Sequence, residues 1–271
     1  MTALTWLYVP ADRPDRVVKA FASGADVVIV DLEDAVAPDR KSYARDAAKD
    51  LLSDPAPVPV QVRVNALDGP LAAADVAAVA GLPGVSGLRL PKVTGPEQVR
   101  RVAELAEDLA LCPLLESALG VELAFDIARA HPAVSGVALG EADLSADLGV
   151  PPQSTEDGLA WARGRVVVAA RAAGLPPPAQ SVYPNVRDLE GLRRSCERGR
   201  ALGFLGRTAI HPAQLETIAD AYRPTEAELA RAREIVVAAV TDAGALALPD
   251  GRFVDAALVE GARRTLSLVG E

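Results

Sequence analysis

The stretch GVALGEADLSADLG, residues 136–149, runs from an apolar, strand-like segment straight into acid: Glu141 and Asp143, then Asp147 a turn further on. Another carboxylate, Glu116, closes the run LCPLLES at 111–117. Carboxylates beside an apolar interior lose hydration and repel one another, so something must hold them there. Three arrangements do so: a hard divalent cation, a shared proton, or pairing with Arg and Lys. Magnesium needs only one or two protein carboxylates, its other positions going to water and substrate oxygens. Glu116 and Asp143 are the candidate metal ligands on that reading. Glu33 and Asp34 of VVIVDLED stand behind them as holders of metal-bound water. Zinc and iron suit the chain less, because it has only two histidines. His131, before Pro132, reads as a cap, and His211 as a hydrogen-bonded structural residue.

Arg63 in VRVN can grip a carboxylate through two parallel hydrogen bonds, which lysine cannot do. It can equally form a buried pair with Asp31 or Glu33. Lys92 in LPK either serves a substrate or neutralises the acidic cluster. A metal and an arginine at one mouth suit a substrate with a carboxylate next to a carbonyl or hydroxyl.

Eight β-rich runs could position these residues: 5–10, 27–33, 60–65, 87–92, 111–117, 136–143, 178–184 and 207–212. Alanine-rich segments of helical spacing separate them. This alternation predicts an α/β chain, a (β/α)8 TIM barrel over 1–222. A helical and hairpin extension over 223–271 belongs to the same structural domain, with a turn at Asp250–Gly251. No GxGxxG follows the first run, against a dinucleotide-binding sheet. Seven of the eight runs finish on a polar residue: Glu33, Arg63 with Asn65, Lys92, Glu116, Asp143, Tyr183 and His211. Barrel strands are buried on both faces, so polar residues at their C-terminal ends point to a site.

Composition sets further bounds. Half of the 271 residues are hydrophobic, 4% are aromatic and the formal net charge is -9. No basic footprint exists for nucleic acid. No apolar stretch reaches the roughly 18 residues of a membrane span, and the N-terminus lacks a basic leader. Cys112 and Cys196 form no CxxC pair. The expectation is a soluble, reduced, cytoplasmic protein.

Taken in order, VPADRP, VDLEDAV, VRVN, LPK, LLESALG, LGEADL and AIHPAQ resemble the β subunit of citrate lyase and its relatives. These include malyl-CoA and citramalyl-CoA lyases, within the HpcH/HpaI aldolase superfamily. The resemblance covers nearly the whole chain. It implies a TIM barrel, homotrimeric or hexameric, that cleaves or forms a C–C bond beside a thioester of CoA or acyl-carrier protein. Carried over by position, Glu116 and Asp143 ligate Mg²⁺, and Glu33 and Asp34 orient its waters. Arg63, with backbone amides of Gly140, Glu141 and Ala142, binds the carboxylate of a 2-oxo acid such as oxaloacetate or glyoxylate. Arg13, Arg16 and Lys19 fall where relatives bind CoA. Asp255 matches an aspartate that reaches a neighbouring subunit's site as an acid–base group, although it also reads as a helix N-cap. Two alternatives stand beside the lyase. One is a thioesterase or malate-synthase-like condensing enzyme on the same site; the other is a non-catalytic metabolite-binding barrel.

Overall fold

The computed structural model describes residues 2–151, 154–241, 246–247 and 253–271. They fall into two compact units: residues 4–221, and residues 222–271 with the first three.

The larger unit is built on a parallel sheet. Its strands are β1 (Thr5–Pro10), β2 (Val27–Asp31), β3 (Val60–Arg63), β4 (Gly87–Leu90), β5 (Ala110–Leu115), β6 (Ala138–Leu139) and β7 (Arg207–Ala209). Among the described residues they run in the order β6-β5-β4-β3-β2-β1-β7. Helices α1 (Pro14–Phe21), α2 (Lys41–Leu51), α3 (Ala72–Val79) and α4 (Pro96–Leu105) make the early crossovers. After β5 come α5 (Ala118–Glu122) and α6 (Ala124–Ala128), and after β6 come α7 (Glu141–Leu148), α8 (Thr155–Gly158) and α9 (Ala160–Ala172). Helix α10 (Leu189–Leu202) precedes β7, and α11 (Leu215–Tyr222) follows it.

Sequence dictates this layout locally. VVIVD of β2 is buried throughout, as expected of a strand covered on both faces. Ile29, Leu88, Leu90, Leu111 and Leu115 are fully enclosed, each worth roughly 1.5–3 kcal/mol of burial. Proline opens α1 and α4, where its missing N–H costs nothing. Gly206 (φ 77°) must be glycine twice over: its backbone is left-handed, and a side chain would strike the Leu4 carbonyl and Trp6 ring.

Two of the eight expected strands are altered. The 178–184 run contributes a single parallel bridge, Gln180 to Arg207. Prolines at 176–178 and 184 remove the amides a ladder needs. What remains is Gln180 N–H to the Gly206 carbonyl and Thr208 N–H to the Gln180 carbonyl, both 3.0 Å. Toward β6 the Ser181 hydroxyl accepts the Glu141 N–H at 3.3 Å. The other altered run is 136–143, where β6 stops at Leu139 and a helix begins at Glu141. Glu141 and Asp143 therefore sit in the first turn of α7 rather than at a strand end. The acidic residues favour that turn because its free amides carry positive partial charge.

In the smaller unit α12 (Glu226–Thr241) packs on α13 (Ala256–Ser267) through Leu229, Ala232, Ala262 and Leu266. Strands β8 (Leu246–Ala247) and β9 (Phe253–Val254) pair antiparallel. The expected Asp250–Gly251 turn lies outside the described residues.

Candidate active site

A cavity of about 100 Å³ opens where the strands end, lined by Glu116, Asp143 and Asp34 together with Arg63, Arg89, Tyr8 and the Leu139–Ala142 segment. Glu116 follows β5 directly and is 7% exposed. Its Oε2 accepts the Lys92 backbone N–H at 2.9 Å. Burial, reinforced by the neighbouring Glu33 and Asp143 charges, pushes its carboxyl up to about 7. Gly140 explains how it fits: any Cβ there would overlap the Glu116 carboxylate.

Lys92 ties the acids together. Its Nζ lies 2.6 Å from Glu33 Oε1, 3.4 Å from Asp34 and 3.7 Å from Asp143. Burial opposes its charge, but the Glu33 hydrogen bond prevails and raises its pKa. Its backbone is left-handed (φ 54°), a strain of about 1 kcal/mol in a non-glycine residue. The contacts from its amide and its ammonium hold it there.

Arg63, at the end of β3, is not free. Nε and Nη2 donate to Asp31 at 2.7 and 2.6 Å, and Nη1 lies 3.0 Å from Glu33 Oε2. The buried pair is thus the arrangement formed. Burial disfavours the guanidinium charge, yet Asp31 outweighs it and raises the pKa. Asp31 is fully enclosed and also accepts the Glu33 and Ala35 amides. One face of Arg63 still looks into the cavity over the Tyr8 ring, at 4.8 Å.

Glu33 is 3% exposed, and burial leads the causes that raise its pKa. Despite its closeness to Arg63, Oε2 is not aligned for a hydrogen bond and has none. Lys41, unnoticed in the sequence, donates to the Leu32 and Glu33 carbonyls at 2.8 and 2.6 Å.

The acids of 136–149 divide in three. Asp143 faces the cavity. The Glu141 side chain forms a two-pronged pair with Arg163, at 2.9 and 2.7 Å, and its N–H donates to the Ser181 hydroxyl, while the expected Gly140 amide donates to the Leu115 carbonyl, so neither amide is left open to a substrate. Asp147 accepts the Ala118 N–H at 2.7 Å and caps α5.

A second cavity, of about 370 Å³, lies beside the first and shares Tyr8 with it; Arg16, Lys19 and the 210–212 loop line it. Arg13 is exposed near Asp12, at 4.0 Å, and does not line that cavity. His211 and His131 each accept a nearby backbone amide, as structural residues do. Asp255 caps α13, accepting the Leu258 N–H at 2.9 Å. Sequence reading passed over Tyr8, Ser181, Thr208 and Arg89 as cavity residues. Arg89 was open to discovery: a charge inside GLRL is as unusual in a buried strand as Arg63.

The donors suit a magnesium ion. Glu116 and Asp143 offer hard oxygens on one cavity, and Glu33 Oε2, ion-paired with Arg63 but accepting no hydrogen bond, can accept from a coordinated water. Among the described residues no group of three or more His, Cys, Asp or Glu is placed to hold a metal ion by itself. Two carboxylates with open positions are what a substrate-binding magnesium site requires.

Fold and cavity together define a barrel-type α/β protein with an acid-and-arginine site at its strand C-termini. The chain belongs to the HpcH/HpaI aldolase/citrate lyase family, whose model matches residues 4–212. It is 38% identical over 266 residues to a (3S)-malyl-CoA thioesterase of Cereibacter sphaeroides, covering 96% of this chain and 92% of that one. A citrate lyase subunit beta-like protein of Mycobacterium tuberculosis is 37% identical, covering 98% and 95%. The crystal structure of M. tuberculosis CitE in complex with magnesium, acetoacetate and coenzyme A superimposes with a TM-score of 0.85. It is 35% identical and covers 99% of this chain and 98% of that one. A citrate lyase beta subunit from the same organism, complexed with oxaloacetate and magnesium, has a TM-score of 0.72 and 35% identity, covering 82% and 97%. No described helix is long and apolar enough to cross a membrane.

Proposed function

We propose that this protein is a magnesium-dependent carbon–carbon lyase acting on a 3-hydroxy-3-carboxyacyl thioester of the citryl, malyl or citramalyl type. The products are a 2-oxo acid and an acetyl-type thioester, and the same site runs the condensation in reverse. The observation that carries this is the meeting of Glu116 and Asp143 on one cavity with cationic side chains around it. Mg²⁺ held by Glu116 and Asp143 would lower the cost of negative charge on the substrate's hydroxyl and carboxylate oxygens.

The chain's own residues do the rest. Glu33 and Asp34 orient water at the acidic cluster. Arg63, fixed in place by Asp31, presents its cavity face to the substrate carboxylate; of the three amides expected to assist it, that of Gly140 donates to the Leu115 carbonyl and that of Glu141 to the Ser181 hydroxyl, so the helix N-terminus acts on the substrate through the Ala142 amide. Lys92 offsets charge among the acids. Burial of the cavity strengthens each of these contacts. Arg16 and Lys19, with Arg13 nearby, supply positive charge for the CoA phosphates along the second cavity. Asp255, brought by a neighbouring subunit of a homotrimer or hexamer, exchanges the proton of the thioester enolate. A cytoplasmic location and the 223–271 segment as a lid-like extension of the same structural domain complete this reading.

A second reading is favoured by one observation, the thioesterase name of the 38% identical relative. In it, water attacks the thioester carbonyl in the same cavity. Incubation with Mg²⁺ and malyl-, citramalyl- or citryl-CoA decides between them. Release of a 2-oxo acid with acetyl-CoA supports the lyase; release of free CoA and the intact hydroxy acid supports the thioesterase. Tight oxaloacetate binding with no turnover of any ester would leave a metabolite-binding barrel.

A further inference from the structure

Arg89 stands inside β4 and is 3% exposed. Its Nε donates to the neutral Gln61 side chain at 2.8 Å, its one hydrogen-bond partner among the described residues. No carboxylate there pairs with its guanidinium. The contrast with its neighbours is sharp: Arg63, in register beside it on β3, is gripped by Asp31, and Arg163 by Glu141 and Glu156. A buried guanidinium without a counter-ion is costly to maintain.

The titratable groups shown beside it, Cys112 and Tyr8, bring no negative charge, and none of the carboxylates that share its cavity, Asp34, Glu116, Glu141 and Asp143, forms an ion pair with it. Cys112 is its register partner on β5, and burial pushes that thiol up, so it stays protonated. Tyr8 is likewise raised by burial. The remaining direction open to Arg89 is the cavity, which it lines with Leu114, Ala138 and Thr208. It lies deeper than the acids: Glu116 comes four residues after Cys112, and Lys92 three residues after Arg89. The carbons of the Arg63 and Arg89 guanidiniums lie 4.8 and 5.9 Å from the same Tyr8 ring, so the two cations are neighbours in one chamber.

We propose that Arg89 is a second anion subsite, on the inner wall of the cavity, and that it receives the distal carboxylate of a dicarboxylic 2-oxo acid. This rests on the lyase reading and narrows it. The substrate arm at C3 is then –CH2–COO⁻, its methylene against Leu114 and Ala138 and its carboxylate on the guanidinium fork. A hydrogen or methyl arm leaves Arg89 unpaired.

Calorimetry on the full chain with Mg²⁺ tests this, comparing oxaloacetate with pyruvate. Wild type is expected to bind oxaloacetate at least about 10-fold more tightly, the range of one charge-assisted contact. Arg89→Met should erase that preference while leaving pyruvate within about threefold, because pyruvate never used the subsite. Arg89→Lys should keep part of it. Should Arg89→Met fail to fold, Arg89→Lys and Arg89→Gln give the same affinity ratio. An unchanged ratio in the variants, or equal loss of both ligands, overturns the subsite and leaves the lyase reading standing. Wild type that binds neither acid with Mg²⁺ overturns the lyase reading and the subsite with it.

Discussion

Asp31 and Arg63 lie side by side in register on β2 and β3 and join through two hydrogen bonds of 2.7 and 2.6 Å. The pair is buried, with 1% and 12% of the two side chains exposed. The site's most conspicuous arginine is thus held by the fold before any substrate arrives. Asp31→Ala would leave a buried, uncompensated guanidinium and should destabilise the protein by about 3–5 kcal/mol. Urea unfolding with and without Mg²⁺ measures this; a loss below about 1 kcal/mol would mean that solvent already screens the pair.

Glu116→Gln should abolish Mg²⁺ binding and lower turnover by at least about 100-fold, since the amide keeps the shape but not the charge. Isothermal titration with Mg²⁺ reads the first effect directly. Asp143→Asn should behave alike, and normal magnesium-dependent activity in either variant would remove the assignment.

The pH behaviour follows from Glu116, whose carboxyl moves from 4.5 to about 7 because of burial and then the Glu33 charge. Without metal, the folded state holds this proton more tightly than the unfolded chain. Its contribution to stability is therefore fully present below 4.5 and is lost as pH rises through 7. Mg²⁺ needs the ionised form. Its affinity should climb about tenfold per pH unit up to about 7 and then level off. Titrations between pH 5.5 and 8.5, a range chosen on the order of one to two units either side of that midpoint, would expose a flat profile.

Gly140→Ala puts a methyl group into the space of the Glu116 carboxylate. The expected cost is about 1–3 kcal/mol of overpacking, with weakened Mg²⁺ binding as Glu116 is displaced. Thermal melting and metal titration should change together. A stable Gly140→Ala protein with normal affinity would show that Glu116 can relocate freely.

Asp255 separates capping from catalysis. Asparagine caps a helix as well as aspartate does, so Asp255→Asn should leave the melting temperature unchanged. If the residue moves the enolate proton, turnover should still fall about 100-fold or more. Asp255→Ala should in addition lose about 1 kcal/mol of stability. Unaltered turnover in Asp255→Asn would assign the residue to the cap alone.

Much of this was legible along the chain because it is written in local pattern. Buried runs such as VVIVD and GLRL name their own strands, and prolines at 14 and 96 mark helix starts. Glu116, Asp143 and Lys92 were recognisable because a charge next to a buried run needs a reason wherever it occurs. The proline-flanked 178–184 run misled, since its apolar residues signalled a strand while its missing amides prevented a ladder.

What the chain order could not decide is which charge meets which. Asp31 and Arg63 are 32 positions apart and become partners only through the register of two parallel strands. The same register sets Arg89 opposite Cys112 and next to Arg63, leaving it the cavity's arginine without a carboxylate among the described residues. Residue type and burial are local properties and show in the sequence. Charge pairing depends on distances of a few ångströms across strands, and only the folded sheet fixes those.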